Sequence, residues 1–456
     1  MSRSALIGLV LFLALAACCS RESDLNVLVI TIDTLRPDRL GCYGYEKPTS
    51  PCIDEFAKGS VLFEQAVCQT PQTLPSHTSI FTGLYPRNHK AISHESVVGE
   101  EVTTLAEILK DRGYETAAFV SSHVLDSKYG LNQGFDKYWQ IHDVTRPKQR
   151  ENAYLRGIDP TTDEALSWLA ENASSKFFAW IHWFHPHRPY EPPLWLRPRF
   201  TGEYLGEANS STEFIMKVWR DQMELGEDDV KYLSGLYDGE VAFSDQQVGR
   251  VLDTLDSLGI ADNTIVVITA DHGEMLYEHE YYFGHDIALY DECIMVPLLI
   301  RDPAMNVSPK RIGGLVQSID IFPTLLDLLG VKPPEAVDGR TLEPLMIGAE
   351  NRTTEFAFSE TFPFPEKAAP RHAVRSETGK LVWRETGSGG LAKHLYDLIA
   401  DPHETRDVME LEPEMARALD LRLHKWIQDK GLHPAPIPTA EETGRIHILR
   451  SLGYLE

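Results

Sequence analysis

A chain of 456 residues, 43% of them hydrophobic, can bury a large core and still carry a smaller second lobe. Its 68 Asp and Glu outnumber its 43 Lys and Arg, giving a formal charge of −25 that argues against a nucleic-acid binder, which would normally show a basic face. The excess reads as a solvated surface and leaves room for a local positive centre such as a metal ion.

The N-terminal stretch MSRSALIGLVLFLALAACCS carries one positive charge, Arg3, then an uncharged apolar run from Ala5 to Ala17. That run is short for a bilayer span and sits where a secretory signal sits, so residues 1–17 are expected to be a signal peptide. Leu15-Ala16-Ala17-Cys18 resembles the bacterial lipobox. The resemblance implies cleavage before Cys18, diacylglycerol on its sulfur and a tether over 18–24. The protein would then be exported and lipid-anchored in the cell envelope, at the outer membrane or the periplasmic face. An ordinary signal peptide with a chance cysteine is the alternative. The remaining cysteines, Cys19, Cys42, Cys52, Cys68 and Cys293, match no zinc spacing and reveal no disulfide pairing.

NVLVITID (26–33) is a β-branched run that reads as a buried strand ending in a carboxylate. TPQTLPSHTSIFTGLYP (70–86) crowds hydroxyls and a histidine around Pro75, then turns apolar up to Gly83. It reads either as a helix start capped by Thr73 and Ser76 or as a hydroxyl nucleophile at the mouth of a site. A helix from Thr103 stops at Gly113 and a strand follows to Val120. DPTTDEALSWLAEN has a capping acid, an early proline and helical spacing, and KFFAWIHWF after it is strand-like. A long helix is expected over Asp229–Leu258, then a strand in NTIVVITADHGE, a short strand VPLLI (296–300) and a helix SIDIFPTLLDLLG closed by Gly330. This alternation predicts an α/β fold: a doubly wound, mostly parallel sheet flanked by helices, over residues 25–332. From about Pro333 the texture changes. RHAVRSETGKLVWRE and KHLYDLIADPHE suggest a small C-terminal antiparallel α+β subdomain over 333–456, with a proline-rich 432–440 and a short final helix.

Ligands of doubly wound sheets gather at the carboxyl ends of the strands, where Asp33, Asp271 and His272 fall. HWFHPHRPYEPP adds His182, His185 and His187, and YEHEYYFGHD adds His279 and His285. A single such histidine reads as a surface or core residue. Several near strand ends, beside two acids, point to a divalent metal with an open position for substrate.

The stretches VLVITIDTLRPDRLGCYGY, TLPSHTSIFTGLYPRNH, HPHRPYEPP, YDGEVAFSDQQVGRVL, ITADHGEMLYEH, GHDIALYDECIMVPLLI, DIFPTLLDLLG and LYDLIADPHE, in this order, resemble the sulfatase family of the alkaline phosphatase superfamily over nearly the whole mature length. The resemblance implies an alkaline-phosphatase-like fold, with Asp33, Asp271 and His272 as metal ligands and Thr73 completing the shell. Formylglycine sulfatases carry Cys or Ser in a C/S-x-P-x-R pattern; here Thr73 and His77 stand at its two ends. Threonine is a secondary alcohol and cannot be oxidised to the aldehyde. Thr-x-Pro-x-His is similar instead to nucleotide pyrophosphatase/phosphodiesterases, in which the threonine itself attacks phosphorus. Thr34 replaces a second Asp, and His272 is an imidazole, so zinc or manganese is favoured over calcium. The resemblance places His187 and His285 where family members have either substrate-anion contacts or ligands for a second metal, and His185 where related chains often have Asp. Asp238 and Glu240 lie on the long helix and read as structural or supporting.

The expected activity is metal-dependent hydrolysis of a phosphoric or sulfuric ester, with Thr73 as covalent nucleophile and His77, His187 and His285 as catalytic residues. Its partner is an anionic ester substrate. The alternatives are a head-group transferase acting on an envelope glycan or lipid, whose relatives usually span the membrane several times, and a non-catalytic envelope binding protein. Intact Asp33, Thr73, Asp271 and His272 argue against the last.

Overall fold

The computed structural model describes residues 24–141, 159–280, 283–305, 310–351, 353–362, 369–386 and 390–430. The signal peptide, Cys18, most of the tether, the proline-rich stretch and the final helix expected from the sequence lie outside the described residues.

Eight strands form the main sheet: β1 (Asn26–Ile32), β2 (Val61–Val67), β3 (Glu115–Val120), β4 (Lys137–Gln140), β5 (Phe177–Trp183), β6 (Thr264–Thr269), β7 (Met295–Arg301) and β8 (Lys310–Gln317). Their spatial order is β4-β3-β5-β1-β6-β7-β2-β8. All pairings are parallel except those of β7 with β6 and with β2. β1 lies at the centre, and each of its residues is buried. That is why its sequence is a continuous β-branched run with no alternation: both faces of a parallel sheet are covered by helices.

The helices include α1 (Pro51–Ala57), α2 (Thr73–Thr82), α3 (Leu105–Lys110), α4 (Pro160–Glu171), α5 (Glu227–Ser257) and α6 (Ile321–Leu328); a further helix spans Thr212–Asp221, besides several shorter turns. Their ends follow local chemistry. Thr104 and Glu107 form a reciprocal capping box at α3, and Asp159 accepts from the Thr162 N–H at α4. Gly83 ends α2 at φ 67°, a left-handed conformation that costs a glycine little.

A second, antiparallel sheet, β12-β11-β10-β9, is built from β9 (Ala357–Thr361), β10 (Arg371–Arg375), β11 (Gly379–Glu385) and β12 (Leu391–Asp397). Helix α7 (Pro413–Lys430) covers it. Ala416, Leu419, Leu423, Trp426 and Ile427 pack with Val374, Leu381, Trp383 and Leu395, and Tyr85 and Ile319 of the larger part join the same cluster.

The sequence reading missed β2, β4, β8, β9, α1, α7 and the helix Thr212–Asp221. β4 is a four-residue, half-exposed edge strand, β8 carries Gly313 and Gly314, and β2 is interrupted by Glu64 and Gln65 where its register shifts. These strands owe their pairing to neighbours, and local propensity is weak in each. The α7 spacing was legible. Among the described residues no helix is long and apolar enough to cross a membrane.

Candidate active site

Register brings the acids together. β1 and β6 pair Thr31 with Thr269, so Asp33 and Asp271, each two residues further on, come level at the carboxyl edge. One donor atom each from Asp33, Asp271 and His272 lie within 4.8 Å of one another, and all three side chains are fully buried. Asp271 Oδ1 accepts from the N–H groups of Thr34 (3.2 Å) and His272 (2.9 Å). Asp271 Oδ2 and both Asp33 oxygens have no protein hydrogen-bond partner. Burial, then the adjacent Asp271 charge, pushes the Asp33 carboxyl well above its ordinary range. Buried, unbonded carboxylate oxygens beside an imidazole suit a divalent cation, and the donor set fits one. Thr34 sits at φ 56°, an uncommon conformation for a β-branched residue at the turn that aims its N–H at Asp271.

Thr73 is the first residue of α2, and the helix has no side-chain cap at Gln72. The Thr73 hydroxyl caps nothing: Oγ1 lies 3.4 Å from His272 Nε2. Ser76 Oγ donates to the Asp271 carbonyl (2.6 Å), so it is not a cap either. His272 Nδ1 is 3.0 Å from the Gly273 carbonyl and must carry the proton there, which leaves the Nε2 lone pair facing Thr73.

His77 lies beneath the hydroxyl. Nδ1 donates to the Thr73 carbonyl at 2.7 Å, so Nε2 accepts, at 3.0 Å, from the Thr31 hydroxyl, which in turn accepts from Trp180 Nε1–H. Burial pushes the imidazole down to about 3 and keeps it neutral. His187 Nδ1 bonds the Arg188 carbonyl and His285 Nδ1 the Pro71 carbonyl, and their Nε2 atoms face each other at 3.2 Å. The His285 ring also packs on His272, with centroids 4.3 Å apart. The structure therefore gathers Asp33, Thr73, His77, His187, Asp271, His272 and His285 at one edge of the sheet.

His185 instead bonds Glu240. His279 stacks on Tyr290 and lies 3.5 Å from Glu292. Both are held by local partners.

Three further side chains, His94, Asp286 and Glu274, escaped assignment from sequence, and a fourth, His182, was named among the candidate histidines but given no role. His94 Nε2 lies 2.9 Å from Asp286 Oδ1, and burial alone would lower its pKa, but that bond and the Asp286 charge raise it. Asp33 and His187 both feel the His94 charge. Glu274, two residues past His272, is fully buried and pushed up by burial to about 8, opposed by Arg188. His182, at the end of β5, lies 3.5 Å from Asp33. The ADHGE and HWFHPH runs held two of these residues in plain view, but nothing in sequence distance links His94 to residues 180 or more positions away.

One helix steadies the surrounding loops. Tyr237 on α5 donates to the Thr34 carbonyl (2.7 Å) and accepts from the Arg36 N–H (3.0 Å). Asp238 holds Tyr45 and Lys47, each at 2.7 Å, and Arg39. Glu240 accepts from His185 and from the Glu191 N–H, and Asp245 from the N–H groups of Cys52 and Ile53. Gly239, in mid-helix, lets the 192–193 proline pair approach: a Cβ there would stand 2.8 Å from Pro192 Cβ. Glycine costs a helix interior about 1 kcal/mol against alanine, and here the close contact requires it.

The family model described as Sulfatase matches residues 25–331, and that described as N-sulphoglucosamine sulphohydrolase, C-terminal, matches residues 278–430. Among curated relatives, an ulvan-active sulfatase of Formosa agariphila is 27% identical over 89% of this chain and 81% of its own. A Δ4,5-hexuronate-2-O-sulfatase of Bacteroides thetaiotaomicron is 26% identical over 88% of each chain. A phosphonate monoester hydrolase of Agrobacterium radiobacter superposes with a TM-score of 0.75 at 23% identity, covering 89% of this chain and 96% of that one. With two-thirds of its length in the Sulfatase model and this sheet beneath the site, the chain belongs to the sulfatase family and is a hydrolase acting on ester bonds.

Proposed function

We propose that the protein hydrolyses an anionic ester, phosphate in preference to sulfate, through a covalent adduct on Thr73. One observation carries this reading: the Thr73 hydroxyl caps no helix and instead lies 3.4 Å from His272 Nε2, beside buried carboxylates without partners. Phosphorus is favoured because threonine cannot supply an aldehyde hydrate.

Asp33, Asp271 and His272 would hold a divalent cation, zinc or manganese rather than calcium, with Thr73 Oγ1 beside them. When bound, it would neutralise the carboxylates, lower the pKa of the hydroxyl and draw charge from the nonbridging oxygens of the ester. Its proton lost to solvent as the hydroxyl ionises, Thr73 Oγ1 forms the new bond to phosphorus as the bond to the alcohol oxygen breaks. His77 is a positioning residue, fixing the Thr73 carbonyl and hence the first turn of α2. With each Nδ1–H given to a carbonyl and burial holding both imidazoles well below their ordinary range, the His187–His285 pair is neutral at rest, and its Nε2 atoms can bond to each other only once they share one proton taken up from outside. An incoming anion favours uptake of that proton, which then passes to the departing alcohol. The same pair takes a proton from the water that releases Thr73.

The test is a panel of aryl phosphate, phosphodiester and aryl sulfate substrates, with acid quench of the His187→Ala variant during turnover and mass mapping of the peptide bearing residue 73. An adduct on Thr73 from a phosphorus ester is expected. Turnover with an unmodified peptide removes Thr73 from the role, and faster turnover of the sulfate reverses the preference.

The Leu15-Ala16-Ala17-Cys18 stretch supports a further reading, that the mature protein is lipid-anchored in the envelope through Cys18. Cys18→Ser should leave unprocessed precursor, and a mature, detergent-partitioning variant would refute it.

A further inference from the structure

We propose that His182 belongs to the cation centre as the hydrogen-bond donor that holds Asp33, so that this carboxylate is oriented by an imidazole from the neighbouring strand.

The geometry begins with register. β1 and β5 pair Thr31 with His182, so the His182 side chain points to the same face of the sheet as Thr31, and as Asp33 two residues on. His182 Nε2 lies 3.5 Å from Asp33 Oδ2, and both side chains are fully buried. Neither ring nitrogen of His182 has a hydrogen-bond partner, and neither oxygen of Asp33 has one. Among the described residues the neighbouring rings offer no other: the edge of His77 meets the ring at 5.0 Å, Trp180 lies at 6.3 Å, and both of those side chains give their polar atoms to Thr31 or the Thr73 backbone.

A fully buried imidazole with both nitrogens unbonded is costly. Packing does not require it, since an aliphatic residue would fill a β5 position without that cost. An Asp33 charged and engaged by a divalent ion is the acceptor that a His182 N–H needs. A ligating carboxylate bonds metal through one oxygen and is oriented through the other, and such outer partners commonly set affinity. His182 does this for Asp33 much as the N–H groups of Thr34 and His272 do for Asp271. Asp271 has two backbone donors; Asp33 has none and depends on this side chain.

The proposal rests on reading Asp33, Asp271 and His272 as the cation centre. Its test is binding rather than turnover. Wild type, His182→Leu and His182→Gln are stripped with chelator and titrated with Zn²⁺ and Mn²⁺ against a chromophoric competitor. Thermal melts are run with and without each ion. His182→Leu should bind ~10- to 100-fold more weakly, while its ion-free melting temperature stays level or rises and the increment conferred by the ion shrinks. His182→Gln, which keeps an N–H donor, should recover most of the affinity. Unchanged affinity in His182→Leu overturns the proposal. So does a lower ion-free melting temperature with an undiminished ion increment, which marks a purely structural residue. X-ray absorption showing one imidazole fewer on zinc in His182→Leu makes His182 a direct ligand and also overturns it. A wild type that takes up no ion takes the cation centre down with it.

Discussion

Two regions of this molecule bury charge, and they treat it in opposite ways. Where the C-terminal sheet meets the larger part, Lys380 bonds Asp291 at 2.9 Å and Glu404 at 2.7 Å, Arg375 clasps Asp291 with two nitrogens, and Arg87 pairs with Glu360. Asp291 is held well below the usual carboxylate range by Lys380 and Arg375, which outweigh its burial. At the carboxyl edge of the main sheet, Asp33, one oxygen of Asp271, and His182 are just as buried and have no protein partner. Paired buried charge is structural and costly to break, whereas unpaired buried charge is a receptor for something the chain does not itself supply.

The largest expected effect belongs to the unpaired region. On the proposed mechanism Thr73→Ala should lower kcat by at least ~10³-fold while the melting temperature hardly changes, because losing the hydroxyl closes the covalent route and the hydroxyl caps no helix. Steady-state kinetics beside thermal melts check this, and an active, destabilised variant would return Thr73 to a structural role. In the paired region the order inverts. Lys380→Met leaves Asp291 and Glu404 facing each other, and should cost ~3–5 kcal/mol by denaturant titration, with little loss of cation affinity.

Asp33→Asn sharpens the contrast. It relieves a buried acid beside Asp271, so the cation-free protein should gain on the order of 1 kcal/mol while cation uptake is lost. Calorimetry with and without zinc would show both, and a destabilised ion-free variant would contradict the unpaired reading.

Asp320 is an intermediate case, accepting from the backbone N–H groups of Gln317 and Arg340 and pushed by burial up to about 6. Its folded pKa exceeds its unfolded value, so the folded state binds the proton more tightly. Its contribution is fully present below about pH 4 and is lost as pH rises through about 6. Wild type should therefore gain about 1 kcal/mol relative to Asp320→Asn between pH 7 and pH 5. Melts of both proteins at the two pH values test the sign, and a wild type that loses stability relative to Asp320→Asn between pH 7 and pH 5 would refute it.

Much of the fold was legible because periodicity and end signals are local. β1, β3, β5, β6 and β7 were readable as apolar runs, α3 as a run between its threonine cap and Gly113, and α5 by its length. The edge strand β4 and the interrupted β2 were not, since their stability comes from cross-strand partners. In the site, Asp33, Asp271 and His272 were visible because acids at strand ends are conspicuous. Asp286 escaped because its partner His94 lies 192 residues away.

The sequence by itself determined the α/β alternation, the acids at strand ends and the threonine that cannot become an aldehyde, since each depends on residue type and near neighbours. Only the tertiary structure decided that the Thr73 hydroxyl faces His272 instead of capping α2, and that His77 supports the Thr73 backbone. It alone set His187 against His285, and His182 beside Asp33. Those facts depend on β-register and on which ring nitrogen a distant carbonyl claims, and neither is encoded within a turn or a strand of the residue concerned.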